Sequence, residues 1–282
     1  MAVRKRRQIT VLTMFLALVL IAVTVGLAYR GYTFYRLSLE DRVEHPEFRT
    51  LRPSGLVGNG YGWVAATLIV MNLSYLIRRR FGGARLGSMQ AWLDIHVFTG
   101  LLAAGLVSFH SAFQLRTPVA TLSAASLLVV VLTGLLGRFL YALAPVGTRE
   151  RLRDALDAIE LLWPGKRTEL AEAIAHRAGP DVPANASLLR SLFSIPKWRR
   201  AIRARREVIE YLMPRKPKLS KPLRRAKREL IEASAAEAKA AGMAALLRSW
   251  RGLHRFFALL MLAAVLLHAG VAWYYGYRWI FT

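Results

Sequence analysis

Two apolar stretches of the chain each carry a pair of histidines: AWLDIHVFTGLLAAGLVSFHSAF at residues 91–113 and LHRFFALLMLAAVLLHAGVAWY at residues 253–274. The two pairs have the same spacing, because His110 follows His96 by 14 residues and His268 follows His254 by 14 residues. In an α-helix this spacing places the side chains about 40° apart around the axis and roughly 21 Å apart along it. Each stretch therefore presents two imidazoles on nearly one face, at depths that fit one site in each leaflet of a membrane.

The composition favours a membrane protein over a single soluble domain. The 282 residues are 55% hydrophobic and yet carry a formal net charge of +24. Apolar residues gather in long runs with Lys and Arg between them, as expected when the bilayer is one of the solvents. The absence of cysteine excludes disulfides, thiolate-ligated iron–sulfur clusters and thioether-linked haem. Histidines are then the main candidates for metal ligation.

The pattern predicts an all-α integral membrane bundle of five spans with a basic helical cytoplasmic insertion between spans four and five. The predicted spans are residues 8–29, 61–77, 91–113, 118–144 and 253–274. We interpret the first span as an uncleaved anchor, because it is long for a signal peptide and no clear cleavage site follows it. Basic clusters at residues 4–7 and 78–80 place the amino terminus in the cytoplasm. We expect a multi-pass protein of the inner (cytoplasmic) membrane of a bacterium.

Three regions follow from this topology: spans one to four at residues 1–144, a basic loop at 145–251, and the fifth span with an outer tail at 252–282. The loop contains 24 Lys and Arg against 12 Asp and Glu, a net charge of +12. Predicted helices in it are residues 149–162 with Thr148 as N-cap, 168–177, 196–212 and 223–248.

The predicted depth of each histidine in the membrane indicates how the four histidines pair. The third and fifth spans run in the same direction, so His96 should face His254 near the cytoplasmic side and His110 should face His268 near the outer side. Two opposed imidazoles suit haem, and an iron with both axial positions filled favours electron transfer. Zinc would require three or four ligands. We expect each imidazole to donate its second nitrogen to a nearby carbonyl.

The propionate groups of haem need cations, and arginines lie near the predicted depth of each histidine pair. Arg85, Arg251 and Arg255 lie near the inner level, and Arg116 lies near the outer level. The alternative is that these side chains only snorkel to the headgroups from the ends of the spans.

The four histidines, on two spans separated by one other, resemble the ligand pattern of cytochrome b proteins. One group with this pattern is the cytochrome b of bc complexes; another is the ferric reductase and NADPH oxidase membrane domain, which also uses its third and fifth spans. The resemblance covers residues 91–274 and implies two b haems. The chain departs from the second group, which typically has six spans, a shorter loop and an attached dehydrogenase domain.

Two glycine-containing segments lack the GxGxxG pattern of a dinucleotide site and are interpreted as linkers. They contain Gly58, Gly60 and Gly62, and Gly82, Gly83 and Gly87. Any flavin that feeds electrons to this chain must then belong to another polypeptide. We expect a cytoplasmic flavin or iron–sulfur subunit, an outer cytochrome, or both, as redox partners.

The outer loop and the basic loop suggest further contacts. Pro46, Glu47 and Phe48 resemble the Pro-Glu-aromatic run of quinol-oxidising sites, which would make quinone a possible cofactor; solvated loop charge is the alternative. The basic runs within residues 197–206 and 221–228 favour anionic lipid or an acidic partner protein over nucleic acid.

The leading functional hypothesis is a dihaem b-type subunit that carries electrons across the membrane within a larger oxidoreductase or respiratory complex, rather than a self-contained enzyme. One alternative is a ferric-reductase-like or superoxide-forming enzyme that reduces a small acceptor at the outer haem. Another is a membrane anchor or scaffold without haem.

Overall fold

The computed structural model describes residues 11–81, 86–177, 179, 187–213 and 220–275. Within these residues the regular secondary structure is entirely helical. In the part of the chain that the structure describes, five helical segments are long and apolar enough to cross a membrane: Val11–Arg30, Phe48–Phe81, Met89–His110, Pro118–Leu162 and Lys221–Tyr274. The predicted all-α class and the number of candidate spans are therefore confirmed. The basic cluster at residues 4–7, Gly82, Gly83 and Arg85 lie outside the described residues.

The chain divides into two compact units, Met1–Leu135 with Arg255–Thr282, and Leu136–His254. The helices in chain order are α1 Val11–Arg30, α2 Tyr32–Tyr35, α3 Phe48–Leu51, α4 Leu56–Asn72, α5 Ser74–Phe81, α6 Met89–His110, α7 Pro118–Leu143, α8 Thr148–Leu162, α9 Lys166–Ala175, α10 Leu188–Phe193, α11 Ile195–Leu212 and α12 Lys221–Tyr274. Both α7 and α12 contribute residues to each unit.

In the first unit, α4 packs along α6, and the unit's core joins these helices to α7 and α12. The buried core residues are Ala65, Ile69, Ala103, Leu106, Leu127 and Met261. A buried hydrogen bond from the Ser123 hydroxyl to the Ala264 carbonyl, 2.9 Å long, ties α7 to α12. Small residues at these positions let the helix backbones approach closely.

The ends of α6 are set by local backbone chemistry. At its start, the Ser88 hydroxyl accepts a hydrogen bond from the Ala91 amide at 3.2 Å, an N-cap. At its end, Ala112 and Phe113 adopt left-handed conformations with φ of 49° and 60°. The helix therefore stops at His110, three residues before the end predicted for this span.

The second span begins earlier than predicted, because α4 starts at Leu56 rather than at residue 61. The interpretation of Gly58, Gly60 and Gly62 as a linker is wrong, since all three lie inside α4. Their poor helix propensity suggested a loop. Gly58 instead allows contact with the Arg52 and Leu51 carbonyls, which a Cβ atom would prevent.

The second unit has its own core, formed by α8, α9, α11 and the first part of α12. The fully buried side chains of this core among the described residues are Ile159, Leu170, Ile209, Met213 and Leu230. The prediction that Thr148 is the N-cap of α8 is wrong, because Thr148 is the first residue of the helix. Gly147, with φ of 66°, occupies the cap position.

Helices α10 and α11 run antiparallel to α12 in a constant register. The hydroxyls of Ser191 and Ser249 are 2.6 Å apart, and Arg205 Nη1 donates to Glu237 Oε2 at 2.7 Å. Further along, Lys227 Nζ donates to the Met213 carbonyl at 2.9 Å. Thus α10 lies beside the part of α12 that precedes its apolar stretch, and α11 leads away from that stretch.

Helix α12 is a single helix of 54 residues. The sequence predicted two helices here, at residues 223–248 and 253–274. Arg251 and Gly252 interrupt the hydropathy pattern between them, but neither interrupts the helix.

Candidate functional site

His110 lies at the end of α6, with its ring directed toward α4. Its Nδ1 lies 2.8 Å from the Gly58 carbonyl oxygen. Because a carbonyl can only accept, Nδ1 carries the proton, and Nε2 of the neutral ring keeps a lone pair that can bind a metal. This is the hydrogen bond that the sequence led us to expect for a ligating histidine.

Gly62 makes room for the His110 ring. A Cβ atom at Gly62 would lie 2.7 Å from His110 Nδ1 and 2.8 Å from Cε1. Any larger residue would require the ring to move. The sequence pattern did not indicate this role, because the glycines of this segment were interpreted as a linker.

His268 of α12 meets His110 in the first unit. The two ring centroids are 6.2 Å apart and the ring planes are inclined by 82°. When one imidazole binds each side of a metal, each bonded nitrogen lies about 2 Å from the metal and about 1.1 Å from its ring centroid, so the centroids are about 6 Å apart. The separation of the two ring centroids thus equals that of two imidazoles bound to opposite sides of one metal.

His96 lies nearer the start of α6, in a polar part of the helix interface. The Tyr75 ring packs on it at 4.8 Å between centroids. Its Nδ1 is buried without a hydrogen-bond partner among the described residues, although the Asn72 backbone is close. Asn72 itself accepts a hydrogen bond from the Thr99 hydroxyl at 2.7 Å.

His254 is the last residue of the second unit, and its surroundings there are aromatic. The Trp250 ring stacks on it with 5.4 Å between centroids and 19° between planes. Trp250 in turn packs against Gly137 of α7, where a Cβ atom would overlap the indole. Because His96 belongs to the first unit and His254 to the second, their pairing stays a prediction.

The arginines proposed for the propionates have different environments. Arg251 is half-buried and donates to the Tyr141 hydroxyl at 2.7 Å. Arg116 is exposed and donates to the Gln114 side chain at 2.9 Å, and Arg255 is exposed. Arg85 lies outside the described residues. A role for any of them at a haem stays a prediction.

The linker between α1 and α4 contains a buried cation, Arg42, which nothing in the sequence singled out. The Arg42 guanidinium donates to the carbonyls of Leu37, Ala112 and Tyr35 at 3.1, 2.9 and 2.7 Å. Since Ala112 follows His110 by two residues, Arg42 attaches the linker to the turn that ends α6. No sequence pattern distinguishes Arg42 from the exposed arginines around it.

Glu47 belongs to the same linker. Its carboxylate accepts a hydrogen bond from Arg30 at 3.2 Å, and its amide donates to His45 Nδ1 at 3.1 Å. An exposed ion pair of this kind favours the alternative of ordinary surface charge. A quinol site at Glu47 stays a prediction.

A second missed residue is Asp94, a buried carboxylate in α6. It accepts hydrogen bonds from the Thr13 hydroxyl at 2.9 Å and from the Gln90 amide at 3.2 Å. The contact with Thr13 links α6 to α1.

Comparison of the chain with protein-family models, curated proteins and solved structures found no match.

Proposed function

We propose that this protein is a dihaem b-type cytochrome subunit that carries electrons across a membrane within a larger oxidoreductase or respiratory complex. The observation that carries the proposal is the pair His110 and His268, whose rings are 6.2 Å apart. The hydrogen bond from His110 Nδ1 to the Gly58 carbonyl supports it, because it leaves Nε2 available to a metal.

At the outer site, His110 and His268 would hold the haem. The Gly58 carbonyl orients the His110 ring, and Gly62 leaves the space that this ring occupies. A haem held by His110 and His268 would supply one-electron transfer, because no ligand position would remain for a substrate. The protein contributes the orientation of the His110 ring through the Gly58 carbonyl and the space at Gly62.

At the inner site, His96 and His254 would be the ligands. The His96 Nδ1 does not make the expected hydrogen bond to a carbonyl among the described residues, and this buried nitrogen is therefore left for a ligand. Arg85, Arg251 and Arg255 would meet the inner propionates, and Arg116 the outer ones.

The proposed orientation has the amino terminus and the second compact unit in the cytoplasm of a bacterium. The net charge of +12 over residues 145–251 supports this side for the loop. The redox partners would be a cytoplasmic flavin or iron–sulfur subunit, an outer cytochrome, or both, with quinone as a further possible cofactor.

The test is a reduced-minus-oxidised absorption spectrum of the purified protein with its haem-to-protein ratio. We expect two b haems per chain. His110→Ala and His268→Ala should each remove the same haem, and His96→Ala and His254→Ala should each remove the other. His176→Ala is the control, because His176 is exposed on the second unit and should leave both haems in place.

Two outcomes would contradict the proposal. A well-folded wild-type protein that binds no haem would favour the anchor or scaffold alternative. Losses that group His96 with His110, rather than with His254, would refute the predicted ligand pairing.

A further inference from the structure

Helix α10 carries apolar side chains that the second unit leaves exposed. The exposed fractions are 66% for Leu189, 41% for Leu192 and 78% for Phe193. Arg190, between them, is also exposed. The buried Ser191 fixes this short helix to α12 through the hydroxyl of Ser249, 2.6 Å away. The segment is therefore held in place by its polar side and not by these apolar side chains.

The position of α10 along α12 places it close to the start of the candidate span. Ser249 precedes Leu253, where the apolar stretch of α12 begins, by four residues, which is about 6 Å along a helix. The surrounding residues are typical of a membrane interface: Trp250 and Tyr141 are aromatic, and Arg248 is an exposed cation.

The basic residues of α11 lie further away. Arg205 pairs with Glu237, sixteen residues before Leu253, or about 24 Å along the axis. Attraction to charged headgroups falls off within a Debye length of about 8 Å. Three of the more distant cations are also paired on their own helices: Arg206 with Glu210, Arg225 with Glu229 and Arg228 with Glu232.

We infer that α10 is an interfacial helix, which inserts Leu189 and Phe193 into the headgroup layer of an anionic membrane surface while Arg190 contacts the lipid phosphates. Exposed aromatic and leucine side chains beside cations are the chemistry of interfacial helices. The lipid contact predicted for the whole basic loop is thereby restricted to α10 and the part of α12 around Ser249. The inference requires α12 to cross a membrane but does not require haem.

The test uses the full chain in lipid nanodiscs and benefits from its lack of cysteine. Leu189→Cys and Phe193→Cys each introduce a single thiol for an environment-sensitive fluorophore, and doxyl-labelled lipids serve as quenchers. Tyr211→Cys is the matched control, because Tyr211 is 86% exposed at the far end of α11. The absorption spectrum of each variant is recorded in parallel, so an absence of haem is distinguished from an absence of contact between α10 and the membrane.

We expect quenching at positions 189 and 193 at least twofold above that at 211, and greater in discs that contain phosphatidylglycerol than in purely zwitterionic discs. The inference is overturned if both positions are quenched no more than 211. It is also overturned if their fluorophores become shielded only after a partner protein is added, since α10 would then be a protein-binding surface.

Discussion

The smallest feature on which the proposed function depends is the missing side chain of Gly62, opposite the ring of His110. We predict that Gly62→Ala displaces this ring, because the new methyl group would lie 2.7 Å from Nδ1. Overpacking of this kind costs about 1–3 kcal/mol. The variant should lower the occupancy or shift the potential of one haem only, measured by redox titration.

Gly60→Ala is the control for this prediction. Gly60 lies on the same helix, and a Cβ atom there would meet nothing within 4 Å. It should stabilise α4 by up to about 1 kcal/mol through helix propensity and leave both haems unchanged. Equal effects of the two substitutions would show that Gly62 has no special relation to His110.

Tyr35 gives a prediction about pH. Burial, reinforced by Tyr61, raises the pKa of the Tyr35 hydroxyl to about 12. An ordinary tyrosine ionises near pH 10 in the unfolded chain. Stability contributed by the neutral hydroxyl is therefore fully present below pH 10 and is lost as the pH rises toward 12.

Tyr35→Phe should remove the loss of folding stability that ionisation of Tyr35 causes at alkaline pH. Thermal unfolding between pH 9 and 12 measures this. At neutral pH the change should be neutral or stabilising, because the hydroxyl is buried without a hydrogen-bond partner among the described residues. An unchanged alkaline profile in the variant would assign the loss to other groups.

For single residues, the sequence predicted the histidines, whose spacing recurs on two spans. It could not predict which backbone carbonyls accept hydrogen bonds from them. The 14-residue spacing singled out His110 and His268 before their rings were known to meet. The Gly58 carbonyl could not be predicted, because every residue has one. Gly62 was misinterpreted, since a glycine that admits a neighbouring ring and a glycine that ends a helix look alike in a single sequence.

Among the elements, the linker from α1 to α4 depends most on one residue. Arg42→Ala should reduce the free energy of unfolding by about 2–4 kcal/mol, because the carbonyls of Leu37, Tyr35 and Ala112 would lose their donor. Thermal unfolding in detergent measures this.

Arg36→Ala is the matched control. Arg36 is exposed in the same linker and lies over the Tyr32 ring at 5.4 Å. It should change the stability by less than about 1 kcal/mol. A comparable loss from both substitutions would mean that the linker responds to net charge and not to the hydrogen bonds of Arg42.

Hydropathy predicted the existence of the apolar helices better than their ends. The start of α4 was misplaced because glycines lowered the apparent helix propensity, and α10 was not predicted because six residues are too few for a periodic pattern. The end of α6 depends on left-handed backbone at Ala112 and Phe113, residues that rarely adopt it.

For the whole molecule, the testable question is which side of the membrane each unit faces. We predict that an impermeant maleimide labels Leu39→Cys on intact cells, because Leu39 lies in the linker assigned to the outside and is 49% exposed. Leu161→Cys, in the second unit and 85% exposed, should react only after permeabilisation. Labelling with the opposite sidedness would refute the proposed orientation.

Because α12 is one continuous helix, an insertion within it rotates every later side chain about the helix axis. One residue inserted between Met261 and Ala264 would turn all later side chains, including His268, by about 100° relative to Met261 in the core of the first unit, and shift them by about 1.5 Å. Seven inserted residues would turn them by only about 20° while moving them about 10.5 Å. Haem content measured on this pair of insertions would separate the direction in which His268 points from its depth.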